Sequence, residues 1–387
     1  MTITLGYVEP VDDEFHNELF PSKIGGKPRW LDPRNPLDVD QAQCDECSKP
    51  MTLLMQLYAP EDEPESAFHR MLYVFMCRNG SCHRFSASRC MRVFRSQMAE
   101  DNEVYLEKEE VNEDNDVVWA LKKQVQKAAV CVVCGLAGSK ACSKCRKRTY
   151  CSREHQLADW ESGHRSQCGS AGAKPTAAHR LKLRRMVYPE QVIVSEEEQQ
   201  QAAADLSDNE DDDDSDDEDI KAEDMALVPV TNEKAEDSQV EVDKAFLLFQ
   251  RRIQSDPDQV LRYARSADND EERQPLFVSD DGRPVAGNHV PDCEKCGAAR
   301  EFEMQIMPQM LNHLSIDSVD PTSIDWGTLL IYTCPKSCGG DGDDAATYAR
   351  EVIYRQNFSS QGIGEKFVRA MHGDDSGITR QIESLTI

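Results

Sequence analysis

Eight soft or borderline metal ligands fall within the 38 residues from Cys131 to Cys168, CVVCGLAGSKACSKCRKRTYCSREHQLADWESGHRSQC. They come in pairs. Cys131/Cys134 and Cys142/Cys145 have Cys-x2-Cys spacing, whereas Cys151/His155 and His164/Cys168 are four residues apart. A Cys-x2-Cys knuckle turns tightly enough to aim both sulfurs at one ion, and partners at i and i+4 share one face of a helical turn. Eight such ligands make two closed tetrahedral sites. A closed site leaves no position open for water or substrate, so the zinc expected here is structural and takes the place of a hydrophobic core.

The same chemistry recurs towards both ends of the chain. Cys44/Cys47 precede the apolar run MTLLMQLY (51–58), and MLYVFM (71–76) leads straight into Cys77-x4-Cys82. Cys293/Cys296 precede EFEMQIM (301–307), and TLLIYT (328–333) leads into Cys334-x3-Cys338. All four runs are rich in aromatic and aliphatic residues and read as strands. Two strands clamped at their ends by two cysteine pairs form a zinc-ribbon layout, so one ion is expected on Cys44, Cys47, Cys77 and Cys82 and another on Cys293, Cys296, Cys334 and Cys338. KPRWLDP and QPLFVSD stand ahead of the respective knuckles, and together these features indicate a diverged internal repeat. Fourteen of the fifteen cysteines, with His155 and His164, supply sixteen ligands for four Zn2+ ions and leave only Cys90 over.

The elements around these ligands point to a mainly β fold with small α parts, in which two zinc-ribbon-like halves stand on either side of a zinc finger. The expected segments are 1–128 (N-terminal half), 129–170 (finger), 171–194 (basic segment with a strand at QVIV), 195–241 (disordered acidic linker), 242–362 (C-terminal half) and 363–387 (a tail reading as a weak helix). Within the C-terminal half, Phe246, Leu247, Phe249 and Ile253 recur near helical spacing and predict a helix over 242–254. DQVLRYAR (258–265) reads as a second short helix. The linker holds the densest charge: sixteen Asp or Glu against one Lys from Ser195 to Asp224, out of a net charge of −27. Too few apolar residues are present there to offset chain entropy.

The ligand order in the finger, with Tyr150-Cys151-Ser152 in the middle and Asp159-Trp160 before the last histidine, resembles a MYND zinc finger. In that family the pairs interleave. The resemblance implies one zinc on Cys131, Cys134, Cys151 and His155 and a second on Cys142, Cys145, His164 and Cys168. Beyond the finger, LGYVEP, FPSKIGGKPRWL, PDCEKCGAAREFEMQIMPQML and IDWGTLLIYTC occur in the order of the programmed cell death protein 2 family, which the chain resembles over about three quarters of its length. That resemblance implies one β-rich domain of two similar halves with the finger inserted between them, and a dedicated chaperone that escorts one basic small-subunit (40S) ribosomal protein in ribosome biogenesis. The alternative is a nuclear adaptor whose finger docks proline-rich peptides of transcription regulators.

Several classes are disfavoured. The acidic balance argues against sequence-independent nucleic-acid binding, which needs a basic surface, and suits a basic partner; no sequence-specific nucleic-acid binding is expected either. No run of eighteen apolar residues and no leader-like N-terminus occur, so a soluble protein of cytoplasm and nucleus is expected, with no membrane partner. There is no phosphate-cradling Gly-rich loop, Gly-x-Ser-x-Gly elbow or His-Glu-x2-His pair, so no catalytic residue is assigned and no enzyme is expected.

Overall fold

The computed structural model describes residues 3–12, 15, 18–111, 117–170, 175–198, 243–265, 273–316, 322–339 and 348–358. The expected linker beyond residue 198 and the tail 363–387 lie outside the described residues. Fourteen strands form among them: β1 (Thr4–Pro10), β2 (Lys23–Ile24), β3 (Thr52–Tyr58), β4 (His69–Met76), β5 (Met91–Met98), β6 (Tyr105–Val111), β7 (Val117–Leu121), β8 (Lys140–Ala141), β9 (Thr149–Tyr150), β10 (Gln191–Glu197), β11 (Leu261–Tyr263), β12 (Glu301–Ile306), β13 (Thr328–Thr333) and β14 (Tyr348–Gln356). The protein is mainly β, as its sequence indicates.

Ten of these strands close into an antiparallel barrel in the order β1, β10, β2, β3, β4, β5, β14, β13, β12, β11. The order reads alike from either repeat. Strands β2 to β5 form one meander and β11 to β14 a second, and their last strands, β5 and β14, pair with each other. The opening strands are exchanged: β1 pairs β11 of the second repeat, while β10 pairs β2 of the first. The second repeat therefore begins at Gln191. Ser195 to Glu198, expected in the linker, belong to the fold instead, because β10 runs to Glu197 and Glu198 is a buried partner of Arg252 and Arg262.

Both faces of the clamped strands are covered. Every residue of β4 is buried, and every residue of β3 except Tyr58. Trp30 and Leu31 join the finger residues Val133 and Leu136 in the same core cluster, so the finger roofs the outside of the first repeat. The second repeat is covered differently. The expected helix spans Lys244–Ile253, capped by the Asp243 carboxylate accepting from the Phe246 amide at 3.0 Å, and it buries Phe246, Phe249 and Ile253 while Leu247 faces solvent. Phe249 and Ile253 pack with Val278 and Met307.

The second short helix expected over 258–265 is instead strand β11. Pairing with β1 overrides local propensity there, and Gly6 makes the approach possible, since a Cβ at that position would lie 2.9 Å from the Leu261 Cβ.

Candidate metal centres

All four Cys-x2-Cys knuckles fold alike. In each, the amide four residues after the first cysteine donates to that cysteine's carbonyl: Ser48, Gly135, Arg146 and Gly297 do so at 2.8, 2.9, 2.9 and 2.8 Å. These donors have φ of 56°, 82°, 53° and 68°. Left-handed backbone suits glycine, and Ser48 and Arg146 adopt it with a side chain because the surrounding turn leaves no alternative. Amides inside the turn then face the first sulfur. Burial opposes ionisation of Cys142 and Cys293, but the amides of Cys145 and Lys144 with the His164 ring, and the amides of Cys296 and Lys295 with the Cys338 and Cys334 thiols, outweigh it and bring these thiols to about 6 and about 7. Such a knuckle favours the thiolate, which is the form that binds metal.

The fold brings these knuckles to the other ligand pairs. Four clusters result: Cys44, Cys47, Cys77 and Cys82; Cys131, Cys134, Cys151 and His155; Cys142, Cys145, His164 and Cys168; and Cys293, Cys296, Cys334 and Cys338. Within each, the ligand atoms lie within 4.8 Å of one another. Cys47 and Cys77 sulfurs are 3.6 Å apart, Cys134 and Cys151 3.5 Å, Cys142 and Cys168 3.7 Å, and Cys293 and Cys338 3.4 Å. His155 Nδ1 is 3.2 Å from Cys151, and His164 Nε2 is 3.4 Å from Cys142. Sulfurs at about 2.3 Å around a tetrahedral ion stand about 3.8 Å apart, and an imidazole nitrogen sits slightly closer. Donor set and spacing fit zinc. Each cluster can hold one ion through four protein ligands, which closes it to chemistry.

The two finger sites interleave along the chain because β8 pairs β9 and returns the chain past both knuckles. The site on Cys131 faces the barrel: Trp30 Nε1 donates to Gly135 O at 2.9 Å, and the Ala137 amide to Leu37 O at 2.9 Å. The site on Cys142 lies beside the helix Ala177–Arg184, and Asp159 joins them. This buried carboxylate accepts from Arg148 Nη1 at 2.8 Å and from Tyr150 OH at 2.7 Å, and it pairs with His179 Nε2 at 2.8 Å.

Sequence reasoning missed the charged lining of the barrel. Arg70 on β4 and Glu303 on β12 are both fully buried and form two parallel hydrogen bonds of 2.6 Å, and because their strands are not neighbours they meet across the lumen. Burial disfavours the Glu303 charge, but Arg70 outweighs it and lowers the carboxyl to about 2. Arg265 extends the network to Glu61, and to Thr333 Oγ1 and Cys334 O at the end of β13. No local pattern marks these residues, since each gains its partner only when the repeats close. One end of the barrel also holds a cavity of about 590 Å³ whose lining sets four acids, Glu61, Asp62, Glu63 and Glu301, against two arginines, Arg265 and Arg273. Among the described residues, Asp62, Glu63 and Glu301 are exposed without an ion-pair partner.

A barrel of two strand-exchanged repeats, each clamped by a four-cysteine cluster and joined through a two-site finger, defines a β-barrel protein with four zinc-fitting clusters, two of them in an inserted finger. Comparison with known proteins gives it a family. Residues 2–112 match the family model "Programmed cell death protein 2, N-terminal domain", 243–357 match "Programmed cell death protein 2, C-terminal putative domain", and 131–168 match "MYND finger". The chain belongs to the programmed cell death protein 2 family. It is 33% identical over 371 residues to programmed cell death protein 2 of Bos taurus, covering 92% of this chain and 96% of that one. It is 27% identical over 331 residues to programmed cell death protein 2-like of Homo sapiens, covering 82% and 85%. A shorter match, 32% over 123 residues and 29% and 28% of the two chains, is to the Probable 20S rRNA accumulation protein 4 of Schizosaccharomyces pombe. No solved structure matches. The family models name no enzyme.

Proposed function

We propose that this protein is a dedicated escort of a basic small-subunit ribosomal protein, with four structural zinc ions holding the scaffold on which the client sits. The observation that carries this reading is the net-acidic cavity at the barrel end, in a chain of net charge −27. Ribosomal proteins are basic, with flexible extensions, and an acidic partner neutralises them before they meet RNA. Kinship with a protein named for 20S rRNA accumulation supports a place in small-subunit assembly. The client's extension would enter the cavity, with its cations on Asp62, Glu63 and Glu301 and its aliphatic stems on Leu57 and Leu261. Such an escort works in both cytoplasm and nucleus, following the client from synthesis to assembly.

The test is affinity purification of the zinc-loaded full chain followed by mass spectrometry, repeated with Asp62→Lys/Glu63→Lys/Glu301→Lys. One dominant ribosomal protein, absent after charge reversal, supports the escort. A spread of proline-rich transcription regulators unaffected by the reversal would favour the adaptor reading at the finger.

A further inference from the structure

The acidity of the chain hides a segregated positive face. Residues 131–185 contain twelve Lys or Arg against three Asp or Glu, so the rest of the molecule carries −36. Ten of those cations are exposed: Lys140, Lys144, Arg146, Lys147, Arg153, Arg165, Arg180, Lys182, Arg184 and Arg185. None has a carboxylate within 4 Å among the described residues. Elsewhere Asp and Glu outnumber Lys and Arg by 68 to 32, and some exposed cations are held by them, as in Arg89 with Glu46 and Arg283 with Asp280. A protein with so many spare carboxylates has left this set without them.

The fold brings two groups of these cations, Lys144 to Lys147 and Arg180 to Arg184, to the two sides of one buried joint. Asp159 ties Arg148, at the end of the Lys144–Arg148 knuckle, to His179 on the helix Ala177–Arg184. His179 and Leu183 turn towards the finger, which leaves Arg180, Lys182 and Arg184 on the outer side of the same helix. The Lys144 stem lies 3.8 Å from where a Gly169 Cβ would be, so the chain leaving Cys168 passes along the same surface.

We infer that the finger and its docked helix form a binding face for the phosphate backbone of RNA, read without base sequence. Three physical points select a phosphate polymer over an acidic protein. The face is a spread of separate exposed charges, which suits a chain of evenly spaced anions rather than one inserted side chain. Arginine predominates, and its planar fork binds phosphate oxygens in pairs. A face selective for carboxylates would also be held by the −36 of its own molecule or of other copies, whereas a nucleic acid gains the additional driving force of counterion release. The inference stands on the charge distribution and does not depend on the escort reading.

The experiment is fluorescence anisotropy of a labelled, unstructured 20-nucleotide RNA with the zinc-loaded full chain, across a salt series from about 50 mM. Arg180→Glu/Lys182→Glu/Arg184→Glu should weaken binding at least tenfold. It should also flatten the plot of log affinity against log salt by about 2, because each phosphate neutralised on a single strand contributes roughly 0.7 to that slope. A reversal of equal charge at Lys108, Lys244 and Arg251 should cost less than threefold. If the first variant fails to retain zinc, Arg146→Ala/Lys147→Ala provides the comparison, with a smaller weakening in the same direction. The inference is overturned if the unaltered protein fails to bind at low salt, if both triple reversals act equally, or if polyglutamate at equal charge displaces the RNA. That last result would assign the face to an acidic polypeptide, including the chain's own residues 205–219.

Discussion

The two barrel repeats solve one packing problem with different covers. Gln56 and Gln305 show the common part: each lies buried in its strand, and its side-chain oxygen accepts a backbone amide from the preceding loop, Arg29 N at 2.9 Å and Leu276 N at 2.7 Å. Each amide nitrogen donates back to a loop carbonyl, Pro21 O at 3.0 Å and Leu276 O at 3.1 Å. One residue beyond those anchored amides the repeats diverge. Trp30 lies under the finger and uses its ring N–H to hold Gly135 O, whereas Phe277 in the same motif is half-buried beneath the Arg283 guanidinium at 4.8 Å. The metal clusters diverge likewise: Cys44, Cys77 and Cys82 are buried, but Cys296 is exposed. A glutamine clasp and a cysteine clamp define the repeat, and whatever covers it is free to differ.

Removing one clamp at a time puts the greatest stress on this likeness. Cys77→Ser and Cys334→Ser should each unfold the whole barrel, because β1 and β10 are exchanged and structural zinc contributes on the order of 10 kcal/mol. Limited proteolysis would show this, and elemental analysis of the chelator-washed parent should give four zinc ions. A barrel that survives removal of one clamp would mean the repeats are separable. Cys142→Ser should act more locally, since its cluster lies beside the helix Ala177–Arg184 rather than against the barrel.

Next in size is the pair that crosses between repeats. Glu303→Gln leaves buried Arg70 with Glu61, 3.5 Å from its Nε, in place of the bidentate carboxylate and should cost about 3 kcal/mol in denaturant unfolding. The sign of its pH dependence follows from the depressed pKa. Ionised Glu303 stabilises the fold fully above the ordinary glutamate range, and that contribution is lost progressively as pH falls from there through about 2, so the cost should be equal at pH 6 and pH 8. A cost that differed between those two values would mean another group carries the effect.

Gln56→Leu and Gln305→Leu test the clasp itself. Each strands a loop amide and carbonyl and should cost about 1–3 kcal/mol, by similar amounts in the two repeats. A large inequality would show that the finger, and not the clasp, holds the first loop. A smaller effect belongs to Trp30→Phe, which deletes one hydrogen bond worth about 1 kcal/mol and should speed amide exchange in the finger next to Gly135 without altering β12 and β13. Phe277→Trp should be nearly neutral, because the second repeat has no finger carbonyl to meet.

Whatever close spacing can encode is legible in the chain before it folds. Cys-x2-Cys and i, i+4 pairs declare their geometry within one turn, the runs ahead of Cys77 and Cys334 declare strands, and Phe246, Phe249 and Ile253 declare the buried face of a helix. Which pairs share an ion inside the finger was legible only through resemblance, since spacing allows more than one pairing. Closure of the barrel settles the rest: that Gln191 opens the second repeat, that Leu261–Tyr263 is a strand against Gly6, that Glu198 is a buried counter-ion rather than linker charge, and that Arg70 meets Glu303. In each case the partner lies far along the chain. A residue with a distant partner carries no periodic or spacing signal of its own, because the interaction that fixes its conformation exists only after the barrel has closed.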